Sequence, residues 1–99
     1  PRWFGRATNV LRNTLGASNV LESPPAMPGE DFSILMQRVP GLFIFLGVTP
    51  RGTDPLTVPA NHSPLYVVDE AAFPTGITAL ASLALDALLN GVPRLAPIP

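Results

Sequence analysis

The chain has 99 residues, room for one small domain and too few for two cores of ordinary size. Its composition, 46% hydrophobic and 13% charged, argues against a disordered chain and carries more apolar side chain than so small a body hides, which favours a piece docked onto a larger one. A net charge of -1, with six thinly spread arginines and no lysine, argues against nucleic acid or an anionic membrane as partner, and the absence of cysteine excludes disulfides and thiolate metal sites.

Pro1 stands where a translation start would carry methionine, so further sequence is expected upstream. No signal peptide is visible, and the apolar runs fall short of the ~20 residues a membrane span needs. The compartment stays open, as does the oligomeric state.

Ala7, Val10, Leu11 and Leu15 fall at helical spacing, and Gly16 is placed to stop the helix. Residues 19–22, Asn-Val-Leu-Glu, read as a very short strand. Residues 23–29 hold three prolines in five positions and form a stiff loop. Glu30-Asp31-Phe32-Ser33 opens a second helix, with acidic groups where the macrodipole favours them, and Val39-Pro40-Gly41 ends it after Arg38. Leu42-Phe43-Ile44-Phe45-Leu46 is an unbroken apolar run of strand length between Gly41 and Gly47. Without polar alternation, such a strand is expected to be buried on both faces of an α/β sheet. Residues 48–61 read as a long surface connection. The last helix runs from Phe73-Pro74 to Leu89, with Asn90-Gly91 as its stop, and its narrow polar face predicts cover on most sides. Residues 92–99 read as a frayed tail. The order is an α/β pattern with too few strands for a sheet, and so an incomplete domain.

His62 is the only histidine. It reads either as a loop histidine bonded to backbone or as a metal ligand, and catalytic zinc needs about three protein ligands. Glu30 and Asp31 read either as paired carboxylates for acid–base work or as helix caps. Gly29 before them would admit close backbone approach. Asp69 and Glu70 read as caps of the last helix. No serine triad and no phosphate-binding glycine pattern can be built.

Four blocks, in order, carry a resemblance. They are Met27-Pro28-Gly29-Glu30-Asp31-Phe32-Ser33, Val39-Pro40-Gly41-Leu42-Phe43-Ile44-Phe45-Leu46-Gly47, Asn61-His62-Ser63-Pro64, and Asp69-Glu70-Ala71-Ala72-Phe73-Pro74-Thr75-Gly76. Together they resemble the carboxy-terminal signature of metal-dependent amidohydrolases of the aminoacylase and zinc-carboxypeptidase group, including hippurate hydrolases, N-acyl-amino-acid deacylases and auxin-conjugate hydrolases.

The resemblance covers about residues 7–89. It implies an α/β/α zinc-peptidase-like catalytic domain interrupted by an inserted lid, with residues 1–99 as the piece that completes the catalytic domain. It implies that His62 is a metal ligand, that Glu30, Asp31, Gly29, Asn61 and Ser63 are positioning residues, and that no catalytic residue lies in this chain. The other ligands and a glutamate general base belong to upstream blocks absent here. It also implies two divalent ions per complete site (zinc, manganese or cobalt) and an N-acyl amino acid as substrate. The remainder of the catalytic domain would be the main partner. Residues 49–60 depart from any fixed family pattern. The rival expectation is a non-catalytic truncated fragment or a small α/β interaction module.

Overall fold

The computed structural model describes residues 2–24 and 31–92. Helix α1 spans Arg2–Leu15 and helix α2 the five residues Phe32–Met36. Helix α3 spans Phe73–Asn90, and a 3-10 turn, Glu70–Ala72, leads straight into it.

Glycine ends both long helices. Gly16 has φ 89° and its N–H reaches the Arg12 carbonyl at 3.0 Å; Gly91 has φ 72°. Side chains with a Cβ resist that half of conformational space, so the helices stop there. Asp69 Oδ1 caps the 3-10 turn before α3, accepting from the Ala71 N–H at 3.0 Å, while α3 itself has no side-chain cap and carries a proline in its first turn, where no intrahelical donor is lost. The glycine stops are those expected from the sequence, whereas Asp69 caps the preceding 3-10 turn and Glu70 lies within that turn rather than capping α3.

The fold rests on α1 against α3. Ala7 and Leu11, one turn apart, are buried on α1, and Ala79 is buried on α3. Buried Thr8 satisfies its hydroxyl by donating to the Phe4 carbonyl at 2.8 Å. At the edge of this contact Arg6 Nε donates to Asp86 Oδ2 at 2.7 Å and Nη2 to the Asp86 carbonyl at 2.9 Å. The Trp3 ring lies 5.3 Å from the Arg6 guanidinium, and Asn90 donates to the other Asp86 oxygen at 2.9 Å. A second, looser cluster joins α2 to the apolar run after it: Phe32 meets Phe43 edge-on at 5.7 Å, and Phe43 meets Phe45 at 5.1 Å.

Four expectations are corrected. No strand occurs among the described residues. Residues 17–19 form a 3-10 turn where a short strand was expected to begin, and residues 42–46 are irregular. The physical reason is that a strand exists through its ladder, and no segment among the described residues supplies the partner hydrogen bonds. That run is therefore not buried on both faces: Phe43 is 45% and Phe45 65% exposed.

The second helix is shorter than expected, and Asp31 occupies its N-cap position without a capping hydrogen bond from its side chain. Helix α3 is not covered on most sides, because among the described residues α1 is the only helix packed along it: Ile77, Leu80, Leu85, Leu88 and Leu89 remain exposed. Residues Glu70–Asn90 together are 21 residues long and, by length and composition alone, long and apolar enough to cross a membrane.

The chain's accessible surface is 8204 Å², where a compact monomer of this mass has about 5,400 Å². Its radius of gyration, 15.5 Å, likewise exceeds the roughly 13 Å of a compact chain of this length. Exposed large apolar side chains stand on α2, α3 and residues 42–46, and also at Leu21, Leu56 and Leu65. The expected frayed tail lies, from residue 93 onward, outside the described residues.

Candidate metal-ligand turn

Residues 60–66 make two successive turns. In the first, the Ser63 N–H returns to the Ala60 carbonyl at 3.1 Å, with Asn61 and His62 at the centre. His62 has φ 73°, and it alone among the described non-glycine residues has positive φ. A positive φ at the second central position alone is the type II pattern, which ordinarily takes glycine there. In the second turn, the Tyr66 N–H returns to the Ser63 carbonyl at 3.1 Å, and Pro64 supplies the fixed φ its first central position favours.

Two side chains bind this backbone together. Asn61 Oδ1 accepts from the His62 N–H at 2.9 Å, and Ser63 Oγ accepts from the Leu65 N–H at 3.1 Å. Downstream, the Asp69 N–H donates to the Val48 carbonyl at 2.7 Å, pinning the start of the α3 cap to the end of the apolar run. The connection before the turn is itself built of turns, with Asp54 accepting from the Leu56 N–H at 2.9 Å and from the Thr57 hydroxyl at 2.9 Å.

His62 is exposed, and among the described residues its imidazole makes no hydrogen bond. An imidazole with both ring nitrogens available suits one coordination bond. It suits no more than one: among the described residues no three of His, Cys, Asp and Glu gather into a ligand set. The other candidates do not join it. Gly29 and Glu30 lie outside the described residues, and among those described no hydrogen bond or ion pair links exposed Asp31 to the turn. The carboxylate of Asp69 is engaged in capping, as its position before α3 suggested.

The sequence did not reveal the left-handed backbone of His62. The string Asn-His-Ser-Pro signals a turn, but histidine gives no warning that it takes the glycine position. Nor did the sequence point to the open depression of about 180 Å³ at the entry to α3, bordered by Gly47, Thr49, Arg51, Asp69 and Thr75.

Among the described residues the turn thus presents one exposed imidazole on a backbone braced by Asn61 and Ser63. The chain is 40% identical over 82 residues to IAA-amino acid hydrolase ILR1-like 5 of Arabidopsis thaliana, covering 83% of this chain and 18% of that protein. It is 36% identical over 76 residues to thermostable carboxypeptidase 2 of Saccharolobus solfataricus, covering 77% and 19%. It is 43% identical over 61 residues to N-acetyldiaminopimelate deacetylase of Leuconostoc citreum, covering 62% and 14%. No family model and no solved structure matches. The chain is thus similar, over most of its length, to a segment of proteins named as amino acid hydrolases and carboxypeptidases, and it spans about a fifth of the length of the curated relatives it matches.

Proposed function

We propose that this chain is the carboxy-terminal segment of the catalytic domain of a metal-dependent amidohydrolase that cleaves the amide bond of N-acyl amino acids. The observation that carries the reading is similarity over four-fifths of the chain to proteins named as a hydrolase of amino acid conjugates and a carboxypeptidase, joined over a shorter stretch by a deacetylase. Those names share hydrolysis of an amide bond. Hippurate-like substrates are the finer form of the proposal.

His62 is the residue of this chain that holds metal, through one neutral ring nitrogen, since a protonated imidazole cannot coordinate. Two divalent ions, zinc, manganese or cobalt, would supply an activated water and polarise the amide oxygen when bound. Asn61 and Ser63 support the turn, and Gly29, Glu30 and Asp31 stand as positioning residues from the resemblance. The remainder of the catalytic domain covers the exposed faces of α3 and residues 42–46 and completes an α/β/α sheet on that run.

The test uses the longer protein that carries this segment. His62→Ala is expected to lower bound metal and hydrolysis of N-acyl amino acids at least 100-fold. Unchanged metal content and turnover would refute the role of His62. An open reading frame upstream that lacks any histidine-rich metal block would refute the enzyme and leave a non-catalytic fragment.

A further inference from the structure

Asn90, the last residue of α3, is followed by glycine. That pairing is the one most prone to lose the side-chain amide, because the next peptide nitrogen can reach the amide carbon and glycine has no Cβ to obstruct it. The other four asparagines of the chain precede Val10, Thr14, Val20 and His62. Asn90 and Gly91 are both exposed, and a Cβ on Gly91 would meet nothing within 4 Å. No well-formed hydrogen bond holds the Gly91 N–H among the described residues, whereas the Gly16 N–H at the end of α1 is held by the Arg12 carbonyl at 3.0 Å. The nucleophile is free and the space around it is open. One restraint remains. Asn90 Nδ2 donates to Asp86 Oδ1 at 2.9 Å, while the other oxygen of Asp86 accepts from Arg6 Nε. That bond holds the amide back along the helix, away from Gly91.

We propose that Asn90 is a site of spontaneous deamidation and that the Asp86 carboxylate restrains it. The Gly91 peptide nitrogen attacks Asn90 Cγ and gives up its proton; the Cγ–Nδ2 bond breaks, and ammonia leaves with that proton. The cyclic imide then takes up one solvent water at either of its two carbonyls. It opens to aspartate or to isoaspartate, in which the main chain runs through the former side-chain carbon. Either product carries a carboxylate where the amide was neutral, and a carboxylate cannot donate to Asp86. The new charge stands one helical turn from Asp86 and at the negative end of α3, and both repel it.

The experiment ages the longer protein carrying this segment at mildly alkaline pH and body temperature. Each asparagine is followed by peptide mass spectrometry, with fragmentation that tells aspartate from isoaspartate. Asn90 is expected to deamidate about tenfold faster than Asn9, Asn13 and Asn19, or more, with isoaspartate among its products. Asp86→Ala removes the restraint and is expected to speed the loss about tenfold; Asp86→Ser, too short to reach the amide, takes its place if the alanine variant does not fold. Arg6→Met loosens α1 from α3 yet leaves Asp86 Oδ1 for Asn90, and is expected to stay within about threefold of the unmodified protein. A rate at Asn90 no higher than at the other three would overturn the site. An unchanged rate without the Asp86 carboxylate, or an equal rise in Arg6→Met, would overturn the restraint. None of these readouts depends on bound metal or on hydrolysis.

Discussion

Leu46 lies so close to Gly76 that a Cβ on the glycine would stand 2.9 Å from Leu46 Cδ2. This contact seats the apolar run against the first turns of α3, near the point where the Asp69 N–H reaches Val48. Glycine here is a matter of space, since its φ is unremarkable for a helix.

Gly76→Ala weighs two effects. Alanine favours the helix by about 1 kcal/mol, while overpacking a filled site costs about 1–3 kcal/mol. Within the complete catalytic domain Leu46 would be hemmed in, so Gly76→Ala is expected to destabilise by about 1 kcal/mol. Adding Leu46→Ala should cancel the clash, so the two changes together cost less than their sum. Denaturant unfolding of the four proteins of the cycle checks this, and additive effects would show that the contact carries no strain.

Arg6 and Asp86 are the main polar fastening between α1 and α3, with side chains 28% and 16% exposed. Hydrogen bonds to charged groups contribute about 1.5–3 kcal/mol. Arg6→Met is therefore expected to destabilise by about 2 kcal/mol, measured by urea unfolding, and to leave Asp86 with Asn90 alone. A loss below about 0.5 kcal/mol would place this pair with ordinary surface ion pairs.

His62→Gly should separate stability from chemistry. Glycine relieves the left-handed strain, so the metal-free protein is expected to gain about 1 kcal/mol while metal binding is lost. Calorimetry with and without added zinc tests both halves. A loss of stability in the metal-free protein would mean that the His62 side chain supports the fold.

The 99-residue chain alone is expected to show no hydrolysis of N-acyl amino acids with zinc, manganese or cobalt, and to bind a hydrophobic dye through Phe45, Leu80 and Leu88, which are 65%, 64% and 82% exposed. Phe45→Lys with Leu88→Lys should improve its solubility while helical circular dichroism is retained. In the complete protein the same pair should abolish folding. Measured turnover by the short chain would end the view that its site is incomplete.

The two long helices were legible because local chemistry settles their ends: Gly16, Asp69, Pro74 and Gly91 act within a turn of themselves. Residues 42–46 were read as a buried strand from composition, yet a strand is made by its neighbours, and apolar side chains cannot supply missing ladder bonds. The same limit applies to α3, whose composition announces cover that the described residues do not provide. At the candidate site, His62 stood out by being the single imidazole. The conformation that makes it unusual arises from the relation of Asn61, Ser63 and Pro64 to its backbone, which no residue type encodes by itself.

Arg6 and Asp86 are 80 positions apart, so the helices they join come from opposite ends of the chain. Closing a loop of that length costs about 4 kcal/mol of chain entropy, growing only with the logarithm of its length. Twenty more residues in the connection around 50–59 would therefore add only about 0.2 kcal/mol. The segment can change the reach and shape of that loop across evolution almost without thermodynamic consequence, while the register of α1 on α3 stays the same.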